Sequence, residues 1–293
     1  MRRFIKDSSR RILKNVKFIV ALSLLTKICV LTAIYLVLGG YVATAYTDFV
    51  QGIIMIVGVF AMVVAIVKNP NVGGFSHFFS NLASVADNGD KITGDQLTSW
   101  YGGANWKFLC VNILLTSFGT WGLPQMVSKY YAVKDIKSIH KATVISTVFA
   151  IIVAGGCYFL GGFGRLYSDK IAINEATGKP LFDTIIPTML STLPAIVVAV
   201  VIVLVLSASM STLSSLVLTS SSTFTLDVIK PASKKEMSDK KQVTIMRLFI
   251  VFFILVSAII AIFKDAHPEV TFIAQMMGVS WGALAGAFLA PFL

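Results

Sequence analysis

Charge is what this chain has least of. Only 13% of its 293 residues are Asp, Glu, Lys or Arg, where soluble domains carry about a quarter. That shortage argues against a water-solvated globule. Cysteine is nearly as scarce. Cys29, Cys110 and Cys157 fall in apolar segments with no CxxC or metal-ligand spacing, so they read as small buried hydrophobes rather than ligands. Histidine is limited to His77, His140 and His267, far apart and in or near loops. No nucleophile–base pair and no phosphate-cradling glycine loop is present, which argues against an enzyme.

What the chain has in abundance is apolar length. Hydrophobic residues make up 56% of it, and the mean hydropathy is +0.82. Several stretches approach or exceed the roughly 20 residues that cross a bilayer. The fold class expected is an all-α polytopic membrane protein in a cell membrane, with about seven spans by this length criterion: 18–38, 48–67, 108–131, 142–163, 188–222, 245–264 and 270–292. The basic N-terminus followed by 18–38 is too long and poorly flanked for a signal peptide. Gly39-Gly40-Tyr41 predicts a tight turn. Pro187 and Pro194 are expected to mark the entry of the fifth span, whose far end can protrude from the bilayer. The loop 68–107 is polar but holds Phe78-Phe79 and Trp100-Tyr101, which predicts a short interfacial helix within it.

The net charge of +11 does not call for nucleic acid, because it sits mostly in short loops and termini. Lys134, Lys137 and Lys141 place loop 132–141 in the cytoplasm, and Lys230, Lys234, Lys235, Lys240 and Lys241 place 227–243 there too. Loops 68–107 and 164–187 balance bases against acids and are expected outside. The basic residues 1–17 conflict with this alternation if 18–38 spans the membrane. Either the first segment fails to span, or, as favoured here, the chain does not begin where its parent fold begins.

Within the fifth span lies a dense run of hydroxyls, from Ser207-Ala208-Ser209-Met210-Ser211-Thr212 to Ser220-Ser221-Ser222-Thr223, with Asp227 beyond. Lipid offers hydroxyls no partners, so they must face protein, water or an ion. Ala208, Ser211 and Thr212 share one helix face by their i, i+3, i+4 spacing. Such an oxygen-rich face suits a small hard cation. The alternative is that the hydroxyls bond back to carbonyls one turn earlier or let helices pack closely. Pro124, with Gly119 and Gly122, predicts a kinked or unwound segment exposing backbone groups, or else a plain proline kink repaired by neighbours. Asp48 is either a functional intramembrane carboxylate or, as favoured here, a cap at a helix start.

Three blocks in order resemble the sodium–solute symporter family, which contains proline, pantothenate and sugar carriers. The first is Gly39-Gly40-Tyr41-Val42-Ala43 with Thr47-Asp48 and Gln51. The second is Phe118-Gly119-Thr120-Trp121-Gly122-Leu123-Pro124-Gln125, followed by Lys129 and Lys134-Asp135. The third is Ala208-Ser209-Met210-Ser211-Thr212-Leu213-Ser214-Ser215. The resemblance implies a partial inverted-repeat fold of the leucine-transporter type. Residues 1–67 would carry a basic N-terminus and core helices four and five, 68–107 an external loop, and 108–293 core helices six to ten.

Core helices one to three have no counterpart, so a fragment or truncated member is expected. The resemblance further implies Na+ bound by the Ala208 carbonyl and the Ser211 and Thr212 hydroxyls. Ser207, Ser214, Ser215 and Ser220 to Ser222 are read as packing residues. Thr116, Thr120, Trp121 and Gln125 become candidate contacts for a small organic solute. In proline carriers aromatic residues stand where this chain has Thr116 and Thr120, a departure that argues against proline. The function implied is Na+-coupled symport by alternating access in a lipid bilayer. The alternatives are a non-transporting sensor or scaffold on the same fold, a channel or H+-coupled carrier, or a truncated inactive fragment.

Overall fold

From Arg2 to Val67 the chain has no proline, and α1 (Arg2–Val67) consists of two helical stretches that meet at Gly40. The computed structural model describes residues 2–85, 94–103, 106–118, 120, 123–130, 133–170, 184–233, 236–266 and 273–288. The turn expected at Gly39-Gly40-Tyr41 is reduced to a kink at one residue, Gly40, with φ 55° and ψ −142°. No atom lies within 4 Å of where a Cβ would sit on Gly40. Glycine is therefore required there by the backbone rather than by space. The two spans expected at 18–38 and 48–67 are thus continuous helix on either side of that kink. Thr44 donates to the carbonyl of Gly40 at 2.9 Å, and one turn into the second stretch Thr47 donates to that of Ala43 at 3.0 Å.

Beyond α1 come α2 (Gly74–Ala83), α3 (Gly94–Thr98), α4 (Trp106–Phe118), α5 (Pro124–Tyr130) and α6 (Ile136–Gly162). A 3-10 helix, Phe163–Lys170, follows α6. Then come α7 (Ile185–Leu190), α8 (Ala195–Thr223), a π-helical stretch (Phe224–Ile229), α9 (Lys230–Ala232), α10 (Asp239–Ala266) and α11 (Ile273–Phe288). No strand occurs among the described residues. Among the described residues four stretches are long and apolar enough to cross a membrane: Thr26–Val67, Ile136–Tyr167, Ala195–Ala232 and Asp239–Phe263. Their outward residues are apolar, as with Ile145 at 69% and Ile196 at 73% exposure, which suits a solvent of lipid tails. Cys29 is buried as expected, but Cys110 and Cys157 are exposed on such helices.

Several boundaries differ from the hydropathy reading. Pro194 directly precedes α8, but Pro187 lies inside the separate short helix α7. The basic loop 132–141 is already helical from Ile136, because Asp135 caps α6 by accepting the Ser138 amide at 2.6 Å. Hydrogen bonds from the Ser138 amide first, and then its hydroxyl, hold the Asp135 carboxyl below the usual carboxylate range. Within 68–107 lies the short helix α2, which carries Phe78 and Phe79, with Phe78 buried in the protein core.

Two compact units are formed. In the unit of 52–207 and 271–293, Met62, Ile66, Val67, Val72, Phe78, Leu160, Phe163, Tyr167, Met189 and Val201 make the core. Asn69 pins its rim, donating its side-chain amide to the Thr192 hydroxyl at 2.9 Å. In the unit of 1–51 and 208–270, Cys29, Leu36, Val217, Ile250 and Ile254 pack together. The ring of Phe224 lies 4.5 Å from that of Phe249.

Two close helix approaches in the first-named unit rest on glycine. A Cβ on Gly58 would lie 2.7 Å from the Leu204 Cβ, an atom fixed to its backbone. A Cβ on Gly156 would meet the Val59 Cγ1 at 2.5 Å, a terminal methyl. Gly58→Ala is therefore expected to destabilise the protein by about 1–3 kcal/mol, and Gly156→Ala by less, with Val59→Ala relieving the second but not the first. Thermal denaturation in detergent checks this; equal losses would contradict it. At the α6 cap, Asp135→Ala is expected to speed amide exchange at Lys137 and Ser138. A carboxyl whose folded pKa is depressed stabilises above its unfolded value, about 3.9. The difference between the chains should therefore vanish as pH falls through the folded value.

Candidate ion-binding site

The hydroxyl run of α8 does not behave as a uniform stripe. Ser214 donates to the Ser211 carbonyl at 2.9 Å, Ser221 to that of Val217 at 2.6 Å, and Ser222 to that of Thr219 at 2.9 Å. These hydroxyls satisfy themselves within their own helix. Ser207, Ser214 and Ser221 are also buried, at the seven-residue spacing that repeats one helix face. Ser211 differs. Its hydroxyl leaves α8 and donates to Oδ1 of Asp48 on α1 at 2.8 Å.

Asp48 is therefore not at a helix start, as the hydropathy boundaries suggest, but inside the long span Thr26–Val67. It is half-buried. A carboxylate held within a membrane-spanning helix is costly and is stabilised by hydrogen-bond donors or a cation. Asp48 lies about two helical turns beyond the kink at Gly40, and its carboxylate meets Ser211 of α8. The signal that could have singled it out was its acidity inside an apolar run. That signal was masked by placing the helix boundary at residue 48.

The other residues singled out by sequence are placed as follows. Ala208 and Ser211 are half-buried, and Thr212, one position on, is exposed. Thr116 is exposed, with its hydroxyl turned back to the carbonyls of Asn112 at 2.8 Å and Ile113 at 3.2 Å. Thr120 donates to the Ser117 carbonyl at 3.1 Å. Gln125 and Pro124 are half-buried at the start of α5. The helix is interrupted between Phe118 and Pro124, where Leu123 is non-helical and fully buried. Gly119, Trp121 and Gly122 lie outside the described residues.

Chemically, the Asp48–Ser211 pair is an oxygen site with one formal negative charge. A serine hydroxyl that donates its proton to a carboxylate keeps its lone pairs for another partner. The Ala208 carbonyl, one turn earlier on α8, has a second lone pair beyond its helical hydrogen bond. Oxygen donors of this kind suit Na+ and do not suit softer transition metals. Among the described residues no cluster of His, Cys, Asp or Glu could hold such a metal.

The chain is similar to several known proteins. The chain is 30% identical over 255 residues to the osmoregulated proline transporter OpuE of Bacillus subtilis, covering 87% of this chain and 48% of that protein. It is 27% identical over 259 residues to a sodium/pantothenate symporter of Haemophilus influenzae, covering 87% and 49%. It spans about half the length of the curated relatives it matches. Its fold matches a substrate-bound, outward-open Na+-coupled sialic acid symporter with a TM-score of 0.67 and 20% identity, over 92% of this chain and 54% of that one. This is the partial leucine-transporter-type fold that the three sequence blocks imply, in a multi-pass membrane protein of a family of transporters rather than enzymes. The sequence pattern of the Sodium:solute symporter family extends over residues 14–293, and the chain belongs to that family.

Proposed function

We propose that this chain serves Na+-coupled uptake of a small organic solute by alternating access, with Na+ held at the Asp48–Ser211 pair. The hydrogen bond from Ser211 to the Asp48 carboxylate at 2.8 Å carries this reading. It sets a negative charge beside the hydroxyl face that includes the Ala208 carbonyl and Thr212. Asp48 supplies the charge that makes binding of a monovalent cation inside a low-dielectric span favourable. Ser211 supplies a lone pair and fixes the carboxylate rotamer. Ala208 and Thr212 complete the α8 side, while residues 1–67 and 108–293 act as parts of two inverted repeats.

Coupling needs only that the ion and the solute favour the same conformation, and it is reciprocal. The break between α4 and α5, with Leu123 non-helical just before Pro124, supports the assignment of Thr120, Trp121 and Gln125 to solute contact. Several relatives are named for proline or pantothenate. The threonines at 116 and 120, in place of the aromatic residues of proline carriers, favour a solute other than proline.

Proteoliposomes with an inward Na+ gradient are expected to accumulate one member of a panel of labelled amino acids and carboxylates above a K+-gradient control. Asp48→Asn, and Ser211→Ala with Thr212→Ala, should each lower the Na+-driven component by roughly tenfold or more. Na+ dependence left unchanged by either variant would overturn the site assignment. No accumulation of any solute, with Na+ binding retained, would favour a sensor or an incomplete carrier.

A further inference from the structure

Tyr35, on α1 before the Gly40 kink, has no part in the site as described so far. Its ring is half-buried, and its hydroxyl donates to the Met210 carbonyl at 3.4 Å. That carbonyl belongs to the peptide group joining Met210 to Ser211. In a regular helix it accepts the Ser214 amide, so Tyr35 adds a second donor to it from outside the helix. The Ser214 side chain lies beside the same tyrosine hydroxyl and holds the Ser211 carbonyl at 2.9 Å. The peptide groups before and after Ser211 are therefore each gripped by a side-chain hydroxyl. The charge of Asp48 is near enough to act on Tyr35.

Thr32 completes the group. It lies one turn before Tyr35 and is fully buried, and its Oγ1 has no hydrogen-bond partner. Its side chain lies within reach of the Tyr35 hydroxyl. A buried unpartnered hydroxyl is costly, and here it stands where the tyrosine proton can reach it by a small rotation. At 3.4 Å the bond to Met210 is long for O–H···O, so the tyrosine is not locked to either acceptor.

We propose that Tyr35 is a positioning residue for the ion site, and that it orients the Met210–Ser211 peptide so that Ser211 meets Asp48. Thr32 is its alternative acceptor. With the tyrosine proton on Met210, the turn presents Ser211 to Asp48 and the cation. With the proton on Thr32, the turn is free to relax and release the ion. This inference rests on the Na+ reading above and adds to it a residue that touches neither the ion nor the solute.

The test is the Na+ dependence of thermal stability of the purified chain, titrated with NaCl against choline chloride at constant ionic strength. Tyr35→Phe keeps the ring and is expected to raise the half-saturating Na+ concentration by roughly three- to tenfold. The melting temperature without Na+ should stay unchanged. Thr32→Val removes the alternative acceptor and is expected to lower the half-saturating concentration by roughly twofold or more. Asp48→Asn should abolish the Na+ response.

A Tyr35→Phe chain with the wild-type half-saturation overturns the positioning role, as does one whose Na+-free stability falls while Na+ affinity holds. If Tyr35→Phe does not fold, Thr32→Val decides, and unchanged or weaker Na+ binding there overturns the proposal. A full response in Asp48→Asn, or none in the wild type, overturns the ion-site reading and the role of Tyr35 together. Loss in Asp48→Asn with wild-type affinity in Tyr35→Phe overturns the role of Tyr35 alone.

Discussion

The hydrogen bond from Ser211 to Asp48 organises the rest of the functional reading. A carboxylate inside a membrane-spanning helix requires compensation, and here a serine from a second helix provides part of it at 2.8 Å. The bond ties α8 to the stretch of α1 beyond the Gly40 kink, and it sorts the hydroxyls of α8 by function. Ser214, Ser221 and Ser222 return their protons to their own helix. Ser211 spends its proton on a charge and keeps its lone pairs available.

Glycine shapes the backbone in each of the two units. Gly40 takes a conformation that side chains avoid, and the kink lets one proline-free run serve as two helices. The threonines after it, Thr44 and Thr47, donate to carbonyls near the bend. In the other unit, Gly58 and Gly156 allow close helix approach against Leu204 and Val59. Small residues play this part in membrane packing because lipid supplies no hydrophobic drive between helices.

Much of the fold is legible in the sequence, and the failures have physical reasons. Hydropathy finds the apolar spans because lipid imposes composition on every outward position. The joint at Gly39-Gly40 is legible from its glycines, and the structure narrows it to the single non-helical residue Gly40. The break before Pro124 is legible because proline and glycine act locally. The break between α7 and α8 at 191–194 is missed because the apolar residues around it keep the window hydrophobic.

Asp48 illustrates the limit for the site. Its chemistry is plain from its type, but its partner lies 163 positions away in the chain, and no local pattern carries that distance. Tyr35 is quieter still, an aromatic residue in an apolar run that reads as core until its hydroxyl is traced to Met210.

The central claim is that the Asp48 carboxylate, oriented by Ser211, meets the cation. Infrared difference spectroscopy of the reconstituted chain, Na+ minus choline, reads that carboxylate directly. The account predicts a shift in the carboxylate stretching bands on Na+ addition, absent in Asp48→Asn and displaced in Ser211→Ala. The same bands appearing unchanged in Asp48→Asn would contradict it.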